Sequence, residues 1–221
     1  MARMARIVIP EYPHHVTQRG NRRQKTFFCD DDYRYYIELM SEFSLKFGTE
    51  VWAYCLMPNH VHLVMVPAEE DSLRATLGEA HRRYTRHINF RENWRGHLWQ
   101  ERFHSFVMDE SYLLSTVRYV ERNPFVANLC DYPKDWEWSS ARAHFMGEDD
   151  KLVRVKPMLE RIGDWGAYLS DAGNGGNIDM IKQHTRTGRP LGSVEFIQKL
   201  ESMTGVDLSV KALGRKSSNL K

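Results

Sequence analysis

Two histidines stand two residues apart in the run Met57-Pro58-Asn59-His60-Val61-His62-Leu63-Val64-Met65-Val66. In an extended chain successive side chains point to opposite faces, so His60 and His62 share one face while Val61 and Leu63 take the other. Two imidazoles side by side are half of a metal site. They are too few for a closed structural zinc centre. With one oxygen donor and open positions they suit a catalytic Mg²⁺, Mn²⁺ or similar ion. A second set lies in Arg118-Tyr119-Val120-Glu121-Arg122-Asn123-Pro124, where Tyr119 and Asn123 are four residues apart and adjacent on one helical face. A tyrosine hydroxyl can attack a phosphodiester polarised by a metal, and Asn123 offers an amide oxygen as third ligand. Each set also has an ordinary reading: partly buried histidines at a strand edge, a core tyrosine, and a helix-end asparagine before proline.

The elements around these residues follow from periodicity. His14 to Arg19 reads as a strand leading to a basic turn at Gly20-Asn21. Asp30 to Asp32 can cap a helix whose apolar face carries Tyr36, Leu39, Met40 and Phe43, with Gly48 at its end. Glu50–Met57 and Val61–Val66 read as a hairpin about Pro58-Asn59. Ser72 begins a helix to about Asn89 with Leu73, Leu77, Ala80, Tyr84 and Ile88 on one face. Leu98 to Met108 reads as a fourth strand, and Glu110 to Asn123 as a helix that Pro124 helps to stop. The order β-α-β-β-α-β followed by a helix predicts an α+β, ferredoxin-like antiparallel sheet with two helices on one face. Residues 147–221 read as a helical and loop-rich C-terminal extension packed on a catalytic domain of residues 1–146. Gly173 to Gly176 is expected to be a loop, Ser193 to Met203 a short helix, and 211–221 a mobile tail.

Composition narrows the class. The chain has 221 residues, 42% hydrophobic and 12% aromatic, as expected of a folded globular protein. No apolar stretch approaches the ~20 residues of a membrane span, and no apolar leader opens the chain. A cytoplasmic location is therefore expected. Cys29, Cys55 and Cys130 are isolated from one another and read as buried reduced thiols. Net charge is only +2, but its distribution is uneven. Arg19, Arg22, Arg23 and Lys25 crowd the early chain, and Arg82, Arg83 and Arg86 form a second cluster. Arginine forks suit bidentate phosphate contacts.

Taken in order, several stretches resemble the HUH single-tyrosine transposases of bacterial insertion sequences (HUH denotes histidine, bulky hydrophobic, histidine). They are His15 to Arg22, Met57 to His62, Leu98 to Arg102, Tyr119 to Pro124 and, near the end, Thr187 to Gly192. The likeness is nearest to the REP-associated tyrosine transposases, and it covers residues 5–146 well and the remainder loosely. It implies that His60, His62 and Asn123 hold a divalent ion, Mg²⁺ or Mn²⁺, and that Tyr119 is the nucleophile. Many insertion-sequence relatives have glutamine at the position of Asn123.

The expected activity is metal-dependent cleavage and rejoining of single-stranded DNA through a 5′-phosphotyrosine. The implied substrate is a REP-like DNA hairpin with a short single-stranded foot. Arg19, Arg22, Arg23 and Lys25 are the first candidates for phosphate contact, and Arg82, Arg83, Arg86 and Arg102 the second. His104 is a candidate proton acceptor. Monomers are expected over homodimers, because the REP-associated group resembles monomers with an added C-terminal segment. Three other readings compete, one of them an enzyme that has lost catalysis and now only represses or binds. A histidine-triad hydrolase needs a third histidine, yet the next same-face position is Val64. A hairpin DNA- or RNA-binding protein without catalysis would leave His60, His62, Tyr119 and Asn123 without a joint purpose.

Overall fold

The computed structural model describes residues 6–171 and 175–208. Strands β1 (His14–Arg19), β2 (Thr49–Met57), β3 (His60–Pro67) and β4 (His104–Val107) form one antiparallel sheet in the order β2-β3-β1-β4. Helices α1 (Asp30–Lys46) and α2 (Ser72–Arg91) cover one face and α3 (Glu110–Val126) the other. This is the expected split β-α-β order.

Strand alternation divides the core into two layers. Val16, Leu56, Val61, Leu63 and Met65 pack toward α1 and α2, with Tyr36, Phe43, Leu77 and Tyr84 from those helices. Cys55, Met57, Val64, Phe106 and Met108 pack toward Leu113, Val117 and Val120 of α3. A bulge between Val51 and Ala53 shifts the register, so these two residues lie in different layers although they are two apart. Each fully buried large apolar side chain contributes about 1.5–3 kcal/mol.

Several boundaries differ from the periodicity. The N-cap of α1 is Cys29. Asp32, in the first turn, accepts from the N–H groups of Phe28 and Cys29 at 2.8 and 3.3 Å and is paired with Arg91 at the end of α2. The expectation of three buried thiols holds only for Cys55: Cys29 is exposed and Cys130 half-buried. The fourth strand is short. Gln100 still donates to the Arg19 carbonyl at 2.8 Å, but Glu101 has φ +55° and breaks the ladder, which resumes at His104. Pro124 does not stop α3. It lies in the last turn, and beyond it Ala127 N–H to Asn123 and Leu129 N–H to Pro124 still close the end of the helix at 3.0 and 2.9 Å.

After Trp136 the chain forms α4 (Ala141–Met146), α5 (Lys156–Leu159), α6 (Trp165–Ser170), α7 (Gly175–Thr187) and α8 (Val194–Thr204). Gly175 and Gly176 begin α7 rather than a loop, while Gly173, Asn174 and the expected tail 211–221 lie outside the described residues. Helix α7 packs on α3, β1 and β4. The segment before α8 bonds alongside β4, with Leu191 N–H to Val107 at 2.9 Å and Asp109 N–H to Leu191 at 3.1 Å. Gly192 lies so close to Asp109 and Phe196 that a Cβ would approach them at 2.7 and 2.4 Å. Among the described residues no helix is long and apolar enough to cross a membrane.

Candidate active site

Pairing in the sheet builds the floor of the site. His60 is opposite Arg19, Thr17 is opposite both His62 and His104, and His15 is opposite both Val64 and Phe106. Residues directly opposite each other share a face, so His15, Thr17, Arg19, His60, His62 and His104 all belong to the α3 side of the sheet. There α3 lays the Tyr119 ring edge-on against His62, with centroids 5.5 Å apart at 88°. The His60 and His62 rings are 4.9 Å apart at 78°. Asn123, one turn along α3, donates from its amide to the Tyr119 carbonyl at 3.3 Å. His60, His62, Tyr119 and Asn123 line one cleft of about 780 Å³.

The histidines are held from behind. Asn59 Nδ2 donates to the Arg23 carbonyl at 3.2 Å, so its Oδ1 accepts from His60 Nδ1 at 2.6 Å. His62 Nδ1 lies 3.0 Å from His15 Nε2. In both rings Nε2 is the remaining nitrogen. Burial lowers His60 to about 4, with Arg19 adding to the shift. Burial also holds His62 well below the usual range, helped by His60, His15 and Arg19. Both are neutral near pH 7 and have a lone pair to offer. Tyr119 is raised, mainly by burial; Asn123 and Arg19 pull the other way.

The basic candidates separate. Arg19 lines the cleft. Arg22, Arg23 and Lys25 are exposed in the turn after β1, beside Asn59. Arg82 and Arg102 line a second groove of about 460 Å³ with Arg6 and Arg74; it meets the first at Gln18 and Glu101. Arg86 lies beyond it with Arg82 near Trp94. The structure does not bring Arg83 to either groove: it is bonded to Glu79 and Glu42 and lies over Phe43. His104 lines the cleft, with Nε2 3.2 Å from Glu101.

Sequence reasoning missed one wall. Asp179, Lys182, Gln183, Thr185 and Arg186 of α7 face the same cleft. A signal was present: Asp179, Lys182 and Arg186 recur at helical spacing opposite Ile181, which is fully buried. It also missed His15, which is 1% exposed between His62 and Phe106.

Comparison with known proteins agrees with this arrangement. Residues 9–123 match the family described as IS200-like transposases. The chain is 28% identical over 102 residues to the "Putative REP-associated tyrosine transposase" of Haemophilus influenzae, covering 41% of this chain and 58% of that relative. It thus spans little more than half the relative's length. A solved structure of a REP-associated tyrosine transposase bound to a REP hairpin superposes with TM-score 0.57 at 19% identity, over 70% of this chain and 93% of that one. At that identity the likeness speaks for the fold. The family match runs from ahead of β1 through Tyr119 and Asn123 and takes in more than half of the sequence: this chain belongs to the IS200-like transposase family.

Proposed function

We propose that this protein cuts and rejoins single-stranded DNA beside a hairpin, using Tyr119 as nucleophile and a divalent ion, Mg²⁺ or Mn²⁺, held by His60, His62 and Asn123. The observation that carries the reading is the Tyr119 ring set against His62 in the cleft that His60 and Asn123 also line. The donor set fits such an ion. Both imidazoles are neutral, each has its Nδ1 hydrogen-bonded, and Asn123 uses its amide nitrogen to donate to a backbone carbonyl, which leaves Oδ1 as its lone-pair donor. Asn123, one turn from Tyr119 on α3 and lining the same cleft, would supply the third donor, as the family resemblance implies. An ion held by His60, His62 and Asn123 would supply Lewis-acid stabilisation of the charge that builds on the scissile phosphate.

The residues of the chain do the rest. The Tyr119 hydroxyl loses its proton and attacks phosphorus in line. The Oη–P bond forms as the P–O3′ bond breaks, and the departing strand takes up a proton to end in a 3′-OH. The phosphodiester character is kept in the 5′-phosphotyrosine, so a 3′-OH can later attack it and restore tyrosine without ATP. Arg19, opposite His60, is positioned to meet phosphate, and Lys182 and Arg186 add positive charge from α7. The relative solved with a REP hairpin favours a hairpin substrate. Residues 1–146 would form the catalytic unit and 147–221 an extension whose helix α7 walls the cleft.

The test mixes the protein with single-stranded hairpin oligonucleotides and Mn²⁺ or Mg²⁺ and looks for a covalent adduct on a denaturing gel. Wild type forms it and Tyr119→Phe does not. An adduct that persists in Tyr119→Phe removes the nucleophile assignment; hairpin binding with no adduct under either metal makes the protein a binder.

A further inference from the structure

His62 ends a chain of hydrogen bonds that begins on α7. Thr185 Oγ1 lies 2.8 Å from the Ile181 carbonyl. That oxygen has no proton to give, so the hydroxyl donates to it. The other contact of Thr185, 3.3 Å to His15 Nδ1, therefore has the ring N–H donating and the hydroxyl accepting. His15 is 1% exposed and packed among His62, Phe106, Tyr119 and Thr185, with no carboxylate among these described contacts to hold a positive ring, so it carries one proton, on Nδ1, and one lone pair, on Nε2. Across the 3.0 Å contact His62 Nδ1–H must then be the donor. One arrangement of protons satisfies all three contacts, and it leaves His62 Nε2 unprotonated. The two rings are parallel to within 3°, with centroids 5.2 Å apart, and Phe106 packs edge-on against His15 at 5.2 Å. The geometry between them is therefore held by packing as well as by bonds.

We propose that Thr185 and His15 are positioning residues that select the tautomer of His62, keeping its Nε2 lone pair available to the divalent ion. The proposal rests on the reading of His62 as a metal ligand. Its origin lies in α7, beyond the matched residues 9–123, so the extension sets the chemical state of a residue in the family core. Without the hydroxyl, His15 Nδ1–H has no acceptor in this chain of contacts. Its proton can move to Nε2 and donate to His62 Nδ1, which forces the His62 proton onto Nε2 and blocks coordination. Outer partners of ligating histidines are typically worth about 10–100-fold in metal affinity.

Two readouts separate the relay from the metal reading. Imidazole ¹H–¹⁵N correlation spectra of the metal-free protein report the His62 tautomer, and electron paramagnetic resonance titration reports Mn²⁺ binding without DNA. Wild type and Thr185→Ser should show His62 protonated on Nδ1. Thr185→Val should shift His62 toward Nε2–H and weaken Mn²⁺ binding about 10-fold or more. Thr185→Ala is the second variant without the hydroxyl, should valine disturb α7. Retention of the pure Nδ1–H form in both variants overturns the relay. The predicted tautomers in a wild type that binds no Mn²⁺ would uphold the relay and remove the metal assignment.

Discussion

At the scale of the residue, His60 shows how the site keeps a ligand ready. Its Nδ1 is bonded to Asn59, whose amide is in turn fixed by the Arg23 carbonyl. Burial keeps the ring neutral down to about pH 4. The ring therefore needs neither deprotonation nor reorientation before it can bind an ion. His60→Ala removes the donor itself, where loss of an outer partner alone costs about 10–100-fold. We expect adduct formation on hairpin oligonucleotides to fall at least ~100-fold, with a Mn²⁺ titration showing a matching loss of affinity and the melting temperature little changed. Full Mn²⁺ affinity in His60→Ala would count against the assignment.

At the scale of the element, the turn after β1 and the β2–β3 turn hold each other. Gly20 donates to the Asn59 carbonyl at 2.8 Å, and Asn21 to the Leu98 carbonyl at 2.8 Å. The turn is tight enough that a Cβ on Gly20 would stand 2.3 Å from the Gln24 carbonyl oxygen and 2.8 Å from Thr26 Cγ2. The backbone at Gly20 is ordinary, with φ −62°, so the constraint is space and not conformation. Gly20→Ala must push the basic turn away from Asn59 and so loosen His60. Overpacking of this kind costs about 1–3 kcal/mol. Urea unfolding should show that loss, and Mn²⁺ affinity should fall with it; an alanine variant as stable as wild type would mean that the turn yields freely.

At the scale of the whole molecule, positive charge is gathered along two joined grooves although the net charge is only +2. Arg19, Lys182 and Arg186 line the cleft, and Arg6, Arg74, Arg82 and Arg102 the neighbouring groove. Arg74 and Arg82 carry ion pairs with Asp71 and Glu79 at the surface, which weakens their pull on a phosphate; no such pair involves Lys182 or Arg186 in the described contacts. If the cleft receives single-stranded DNA, each phosphate neutralised lowers the slope of log K against log salt by about 0.7. The double variant Lys182→Ala with Arg186→Ala should bind hairpin oligonucleotides more weakly and with a slope shallower by about 1.4. An unchanged slope would place the strand away from α7.

Periodicity alone determines local faces. Alternation sets His60 with His62, and helical spacing sets Tyr119 with Asn123, because both are properties of a few consecutive residues. The sequence of elements along the chain was legible for the same reason, through hydrophobic periods and turn residues. What only the tertiary structure decided was contact across the chain: that α3 covers the histidine face of the sheet, that Thr17 stands opposite His62, and that α7 closes the cleft. It also separated Arg19, in the cleft, from Arg83, bonded to Glu79 and Glu42. It shortened β4, because one residue, Glu101, takes a left-handed backbone that no period announces. Such features arise from pairings between segments as distant as His15 and Thr185. They depend on how whole elements dock, which no local pattern carries.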